Sequence, residues 1–148
     1  MKLVVQRVKK SNLKIKNKLY SSINTGIVIL IGISKNDNYE MAKELASKII
    51  KLRIFNDDNG KMNKNIMQIK GEVLVVSQFT LYADTNKGNR PSFINAAKPE
   101  LAISLYNHFI DELQKLISSK VRTGKFGADM KIELINDGPV TIILEKNQ

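Results

Sequence analysis

Cysteine is absent from the chain, which removes disulfides, thiolate-bound zinc, iron–sulfur clusters and thiol nucleophiles together. Redox chemistry therefore leaves the compartment open. Histidine occurs once, at His108, so a multi-histidine metal site cannot form and any Ser-His-Asp arrangement would have to be built on that ring. Long apolar runs are also missing: Gly26 to Ile33, the longest, is too short to cross a bilayer as a helix. The opening MKLVVQRVKK breaks its apolar residues with Lys2, Arg7, Lys9 and Lys10, unlike a secretory signal. A soluble cytoplasmic protein with no membrane partner is expected.

Acids are missing from the first 36 residues, which hold eight Lys or Arg, while the rest of the chain holds sixteen bases against fourteen acids. Nearly all of the net charge of +10 thus sits at one end. Such a block draws in a polyanion and weakens with salt. Twenty of the 24 bases are Lys, so a solvated face rich in Lys and Asn accounts for the excess equally well.

What is present is an ordinary globular composition, 43% hydrophobic and 26% charged. A length of 148 residues suits one domain, spanning 1–148, without repeats or a linker. Residues 2–8 alternate as a strand does, placing Arg7 on one face with Leu3 and Val5. Asn12 to Ile15 and Leu19 to Ile23 read as a hairpin about Lys16-Asn17-Lys18, and Gly26 to Ser34 as a buried strand. Asp37 and Glu40 have capping-box spacing before the helical stripe Met41, Leu45, Ile49 and Leu52. Phe55 to Lys61 is turn-rich, and Gly71 to Ser77 is a second buried strand. Pro99 opens a helix whose stripe is Leu101, Leu105, Phe109, Leu113 and Leu116, with His108 at its border as a packing or surface residue. Met130 to Ile135 and Val140 to Leu144 are strands joined by Asn136-Asp137-Gly138-Pro139. The expected fold class is α/β: one compact domain of largely antiparallel or mixed sheets with two main helices.

Three polar segments interrupt these elements, and function most often sits in such loops on a rigid frame. In Ser77-Gln78-Phe79-Thr80-Leu81 a strand ends in hydroxyl and amide side chains with free backbone N–H groups, suited to an oxyanion hole; taken locally, a plain strand terminus explains it better. Lys87-Gly88-Asn89-Arg90-Pro91-Ser92-Phe93 combines two cations with an aromatic face, as phosphate and base contacts require, and also fits a solvated loop. Gly138-Pro139 between apolar strands reads locally as a hairpin turn.

Taken together, SQFTLYAD, KGNRPSF, FGADM and NDGPVT, in this order and with VVQRV near the N-terminus, resemble the D-aminoacyl-tRNA deacylase family over essentially the whole chain. Tyr82 stands where that family commonly has a smaller residue. The resemblance implies hydrolysis of the ester joining a D-amino acid to the terminal adenosine of tRNA, with glycyl-tRNA as a further substrate. It implies a homodimer in which a cis Gly138-Pro139 enters the neighbour's pocket, holds the α-amino group through its carbonyls and leaves an L side chain no room. Catalysis falls to Ser77, Gln78, Phe79 and Thr80, with the backbone near Phe79 stabilising the oxyanion and the tRNA 2′-hydroxyl assisting. The resemblance offers Thr80 as a possible nucleophile, but no general base adjoins it, so a positioning role is assigned. Phe126 and Met130 would line the adenosine pocket, and Arg7 would brace the Gly-Pro segment. No cofactor and no metal is implied.

Two other classes compete. A noncatalytic RNA-binding module would use the basic N-terminal block with Phe79 or Phe93, and it parts from the enzyme on turnover. A metal hydrolase using Asp57, Asp58 and Asp84 lacks a metal-ligand pattern.

Overall fold

The amino-terminal strand is the spine of the sheet. In the computed structural model, which describes residues 1–147, β1 (Lys2–Ile15) runs unbroken for 14 residues where the alternation suggested two strands. It pairs with three partners. Its first half lies antiparallel to β3 (Gly26–Gly32), its second half to β2 (Lys18–Ile23), and β8 (Lys131–Glu145) runs antiparallel along nearly its full length. The turn between β1 and β2 is the expected one, with Lys16 and Asn17 both at positive φ, 49° and 62°, as a two-residue hairpin requires.

Beyond β3 the sheet continues in parallel through β6 (Glu72–Ser77) and β7 (Val121–Thr123). Each parallel step needs a crossover, supplied by α1 (Tyr39–Lys51) and α2 (Pro99–Leu116). The fold is the expected α/β arrangement of a mixed sheet with two helices. A side hairpin, β4 (Phe55–Asn56) and β5 (Met62–Lys64), occupies the segment read as a turn-rich loop, with Asp57 tying the turn through Asn59 and Lys61 amides at 2.9 and 3.0 Å.

Both helices bury one stripe. Ala42, Leu45 and Ile49 of α1, and Leu105, Phe109 and Leu113 of α2, pack with Leu3, Val5, Ile29 and Val75 of the sheet. Phe109 is fully buried, and its truncation to Ala would cost about 3–5 kcal/mol. Val8, Leu13, Val28, Leu74 and Val76 form a second cluster with Ile132 and Leu134. β1 therefore passes from one core to the other between Val5 and Val8, where its pairing with β8 is irregular between Gln6 and Val8. The cap of α1 differs from the expectation. Asn38 accepts the Met41 amide at 3.0 Å, because Asp37 is engaged by the buried α-amino group of Met1 at 2.5 Å and by the Ser34 amide at 2.7 Å. Pro99 does open α2. No helix among the described residues is long and apolar enough to cross a membrane.

The largest departure lies in β8. Gly138-Pro139 does not turn a hairpin: the strand continues on both sides, and both sides pair with the same β1. Thr141 opposes Gln6 and Asn136 opposes Val8, so Asp137 to Val140 bulge out opposite Arg7 alone. The Gly138–Pro139 peptide is cis.

Candidate functional site

Strands β3, β6 and β7 are parallel, and the crevice beyond the carboxyl ends of parallel strands is where α/β sheets take ligands. Here that crevice is a cavity of about 280 Å³. Its floor is Ile31, Ile33 and Val76; Ala97 and Ala102 close it from the start of α2. Ser77, Gln78 and Phe79 lie on one wall, and the loop from Phe126 to Met130 forms the other. Ser77, Gln78 and Phe79 of the expected catalytic segment, but not Thr80, thus meet the expected adenosine-lining residues around one space.

Local geometry explains why the first wall is polar and open. β6 stops at Ser77, the Gln78 amide makes a last sheet-like bond to the Ile31 carbonyl at 2.8 Å, and Phe79–Tyr82 form a single 3-10 turn. The first N–H groups of such a turn have no acceptor within it. Gln78 Nε2 donates to Thr80 Oγ1, so Thr80's oxygen acts as an acceptor and its partner is an amide, not a base. Phe79 is 57% exposed and packs edge-on against Phe93 at 5.0 Å.

Phe126 is held from behind by Tyr106, whose ring lies 5.9 Å away, edge-on. The Tyr106 hydroxyl donates to the Val75 carbonyl at 2.9 Å, and the Gly124 amide donates to the same oxygen at 2.9 Å. One carbonyl thus joins α2, β6 and the loop that carries Phe126. Burial pushes the Tyr106 phenol well above its ordinary value. Sequence reasoning passed over Tyr106, although a tyrosine inside a buried helical stripe signals a hydroxyl that must find a partner. Tyr82, the last residue of the 3-10 turn, lies beside Gly32 with Lys2 Nζ 5.4 Å from its ring centre. Its hydroxyl is buried without a hydrogen-bond partner among the described residues, and burial, then Asp37 and Glu145, raise its pKa.

Arg7, Gly138 and Pro139 do not line this cavity. They form a second constellation on the β8 bulge. Arg7 is 6% exposed; its Nε donates to the Asp137 carbonyl at 2.8 Å, and its Nη1 to the Ile54 carbonyl at 2.7 Å and Asn56 Oδ1 at 3.1 Å. The Asp137 carboxylate lies 3.6 Å from Arg7 and 3.3 Å from Lys9. Asn136 closes the neck, accepting the Val140 amide at 2.8 Å and donating to Thr141 Oγ1 at 3.1 Å. Gly138 and Pro139 stand exposed at the tip. Among the described residues no three His, Asp or Glu converge on a metal-sized space, so Asp57, Asp58 and Asp84 form no joint site.

The model of the family described as D-Tyr-tRNA(Tyr) deacylase matches residues 4–145. The chain belongs to that family. Within it, the chain is 54% identical over 145 residues to a D-aminoacyl-tRNA deacylase of Flavobacterium psychrophilum, covering 98% of this chain and 97% of that protein. A D-aminoacyl-tRNA deacylase of Bacteroides fragilis is 51% identical over the same length, with the same coverage. The family fold also matches a solved structure named c-Myc DNA Unwinding Element Binding Protein at TM-score 0.94 and 41% identity over the whole of both chains. A probable eukaryotic D-amino acid tRNA deacylase superposes at TM-score 0.82 over 97% of each chain; at 15% identity that likeness shows the fold alone.

Proposed function

We propose that the chain is a D-aminoacyl-tRNA deacylase: it hydrolyses the ester between a D-amino acid and the terminal adenosine of tRNA, releasing both. The observation that carries this is the cavity at the end of β6, which brings Ser77, Gln78 and Phe79 opposite Phe126 and Met130. Phe126 and Met130 offer an aromatic face and an apolar edge to the adenine. The ester carbonyl then lies at the opening of the 3-10 turn, where the unpaired amides near Phe79 stabilise the oxyanion that forms as water adds. Collapse of that intermediate breaks the bond to the ribose oxygen, which leaves with a proton; the neighbouring 2′-hydroxyl assists. An ester is activated enough to need no Ser-His-Asp set, which accords with the chain's lone His108 lying on α2. Thr80, bonded to an amide, positions the substrate.

Chirality comes from a second copy. Gly138-Pro139 lies away from the cavity of its own chain, exposed on a bulge clamped by Arg7, and in a homodimer it enters the partner's cavity to hold the α-amino group. An L side chain would collide with it, whereas glycine, having none, is accepted. The test uses one tRNA charged with either enantiomer: the D ester should be lost and the L ester spared, and equal rates would sink the reading. Noncatalytic nucleic-acid binding draws on the basic N-terminal block, exposed Phe79 and Phe93, and the name of one solved relative. It predicts salt-sensitive binding without loss of either ester.

A further inference from the structure

The hairpin after the 3-10 turn is not used by the reaction above, yet it adjoins the cavity. Asp84 and Ser92 close it with two backbone hydrogen bonds of 2.8 Å each. At its base Phe93, 37% exposed, packs on Phe79 of the cavity wall. At its tip Lys87 and Arg90 are exposed and make no ion pair among the described residues, while the Asp84 carboxylate is taken up by the amide and side chain of Asn86 at 3.0 and 2.8 Å. Gly88, at φ 88°, has nothing within 4 Å of where a Cβ would stand, so backbone and cations face open space together.

We propose that this hairpin receives the unpaired nucleotides that precede the terminal adenosine, a proposal that rests on the deacylase reading. Lys87 and Arg90 contact their phosphates, and the exposed part of the Phe93 ring gives a base something to stack on. Cations beside exposed aromatic surface are what a single strand binds, since every base has a π face and every linkage a charge. Continuity with the cavity sets the order: the terminal adenosine goes in, and the preceding nucleotides leave across the hairpin.

The test compares D-aminoacyl esters of adenosine and of the trinucleotide cytidylyl-cytidylyl-adenosine. The unaltered protein should prefer the trinucleotide ester in kcat/KM. K87Q/R90Q should cut that preference about tenfold and leave the adenosine ester's rate unchanged, and Phe93→Leu, which keeps apolar packing on Phe79, should cut it by a similar factor. Binding of the uncharged trinucleotide should lose about 0.7 of salt slope per phosphate contact removed in K87Q/R90Q. Preference and slope that persist in both variants overturn the proposal. So does a shift in sedimentation towards monomer with preference intact, since the hairpin would then be covered by a second copy. If neither ester is hydrolysed by the unaltered protein, the deacylase reading fails, and trinucleotide binding still decides on the hairpin.

Discussion

The chain departs from regular strand structure twice, at the end of β6 and in the middle of β8, and it treats the two departures in opposite ways. At β6 the strand stops, and its last polar side chains are left at a cavity, Gln78 donating to Thr80. At β8 the strand resumes, and the excursion is fastened by Arg7 from beneath and Asn136 at the neck. The difference separates receiving from presenting. A pocket must keep donors and acceptors unused until a substrate arrives, whereas a tip that discriminates by shape must be rigid beforehand.

The sharpest way to break this contrast is at the tip. Gly138 sits at φ 137°, and a Cβ there would stand 2.7 Å from Val140 Cγ2 and 3.0 Å from Arg7 Nη2. Gly138→Val should therefore displace the tip and lower deacylation about 100-fold or more, a loss typical of misplacing a reacting group by an ångström. Mixed with Gln78→Ala, it should regain activity on subunit exchange, because one hybrid cavity combines an intact SQFTL segment with an intact Gly-Pro segment. Two impaired homodimers whose mixture stays inactive would contradict action in trans.

Arg7→Ala comes next. It strips donors from the Ile54 and Asp137 carbonyls in a buried setting and should cost about 3 kcal/mol in urea unfolding. A cost under about 1 kcal/mol, the worth of a surface pair, would mean that the bulge does not depend on its clamp.

On the receiving side effects should be milder. Thr80→Ala removes one neutral hydrogen-bonding group and should slow deacylation about fivefold. Abolished turnover in a folded variant that still binds tRNA would instead make Thr80 the nucleophile.

The helical stripes could be read from single residues because a period of 3.6 is local information, and α1 and α2 lie close to where Met41 to Leu52 and Leu101 to Leu116 placed them. Long-range pairing is not local. Asn136 to Pro139 have the composition of a turn; only the pairing of both flanks with β1 makes them a bulge. β7 is three residues long, too short to show an alternation, and Asp37 lost its capping role to a buried amine 36 residues away. The cavity wall could be named in advance from the motifs SQFTL and FGADM, whereas Ala97, Ala102 and the Tyr106 brace carry no motif and became visible only through packing.

The smallest expected effect concerns that brace. Tyr106 and Tyr82 both hold their protons more tightly in the fold than in the unfolded chain, where a phenol titrates near 10.0. A folded-state pKa raised above the unfolded one contributes stability that is complete below pH 10 and declines as pH rises beyond it. The urea midpoint should thus fall between pH 9 and pH 11, and Tyr106→Phe should flatten that fall. An unchanged slope would remove Tyr106 from the titration.

Because β1 holds β8 on both sides of the bulge, from Lys2 to Gln6 and again from Val8 to Lys14, the sheet does not measure how many residues lie between. Loop length there is an independent variable. A residue inserted or deleted between Asp137 and Val140 would lengthen or shorten the reach of the tip without shifting the register of a single ladder pair. Reach into a neighbouring molecule can therefore change by small steps while the architecture that carries it stays constant.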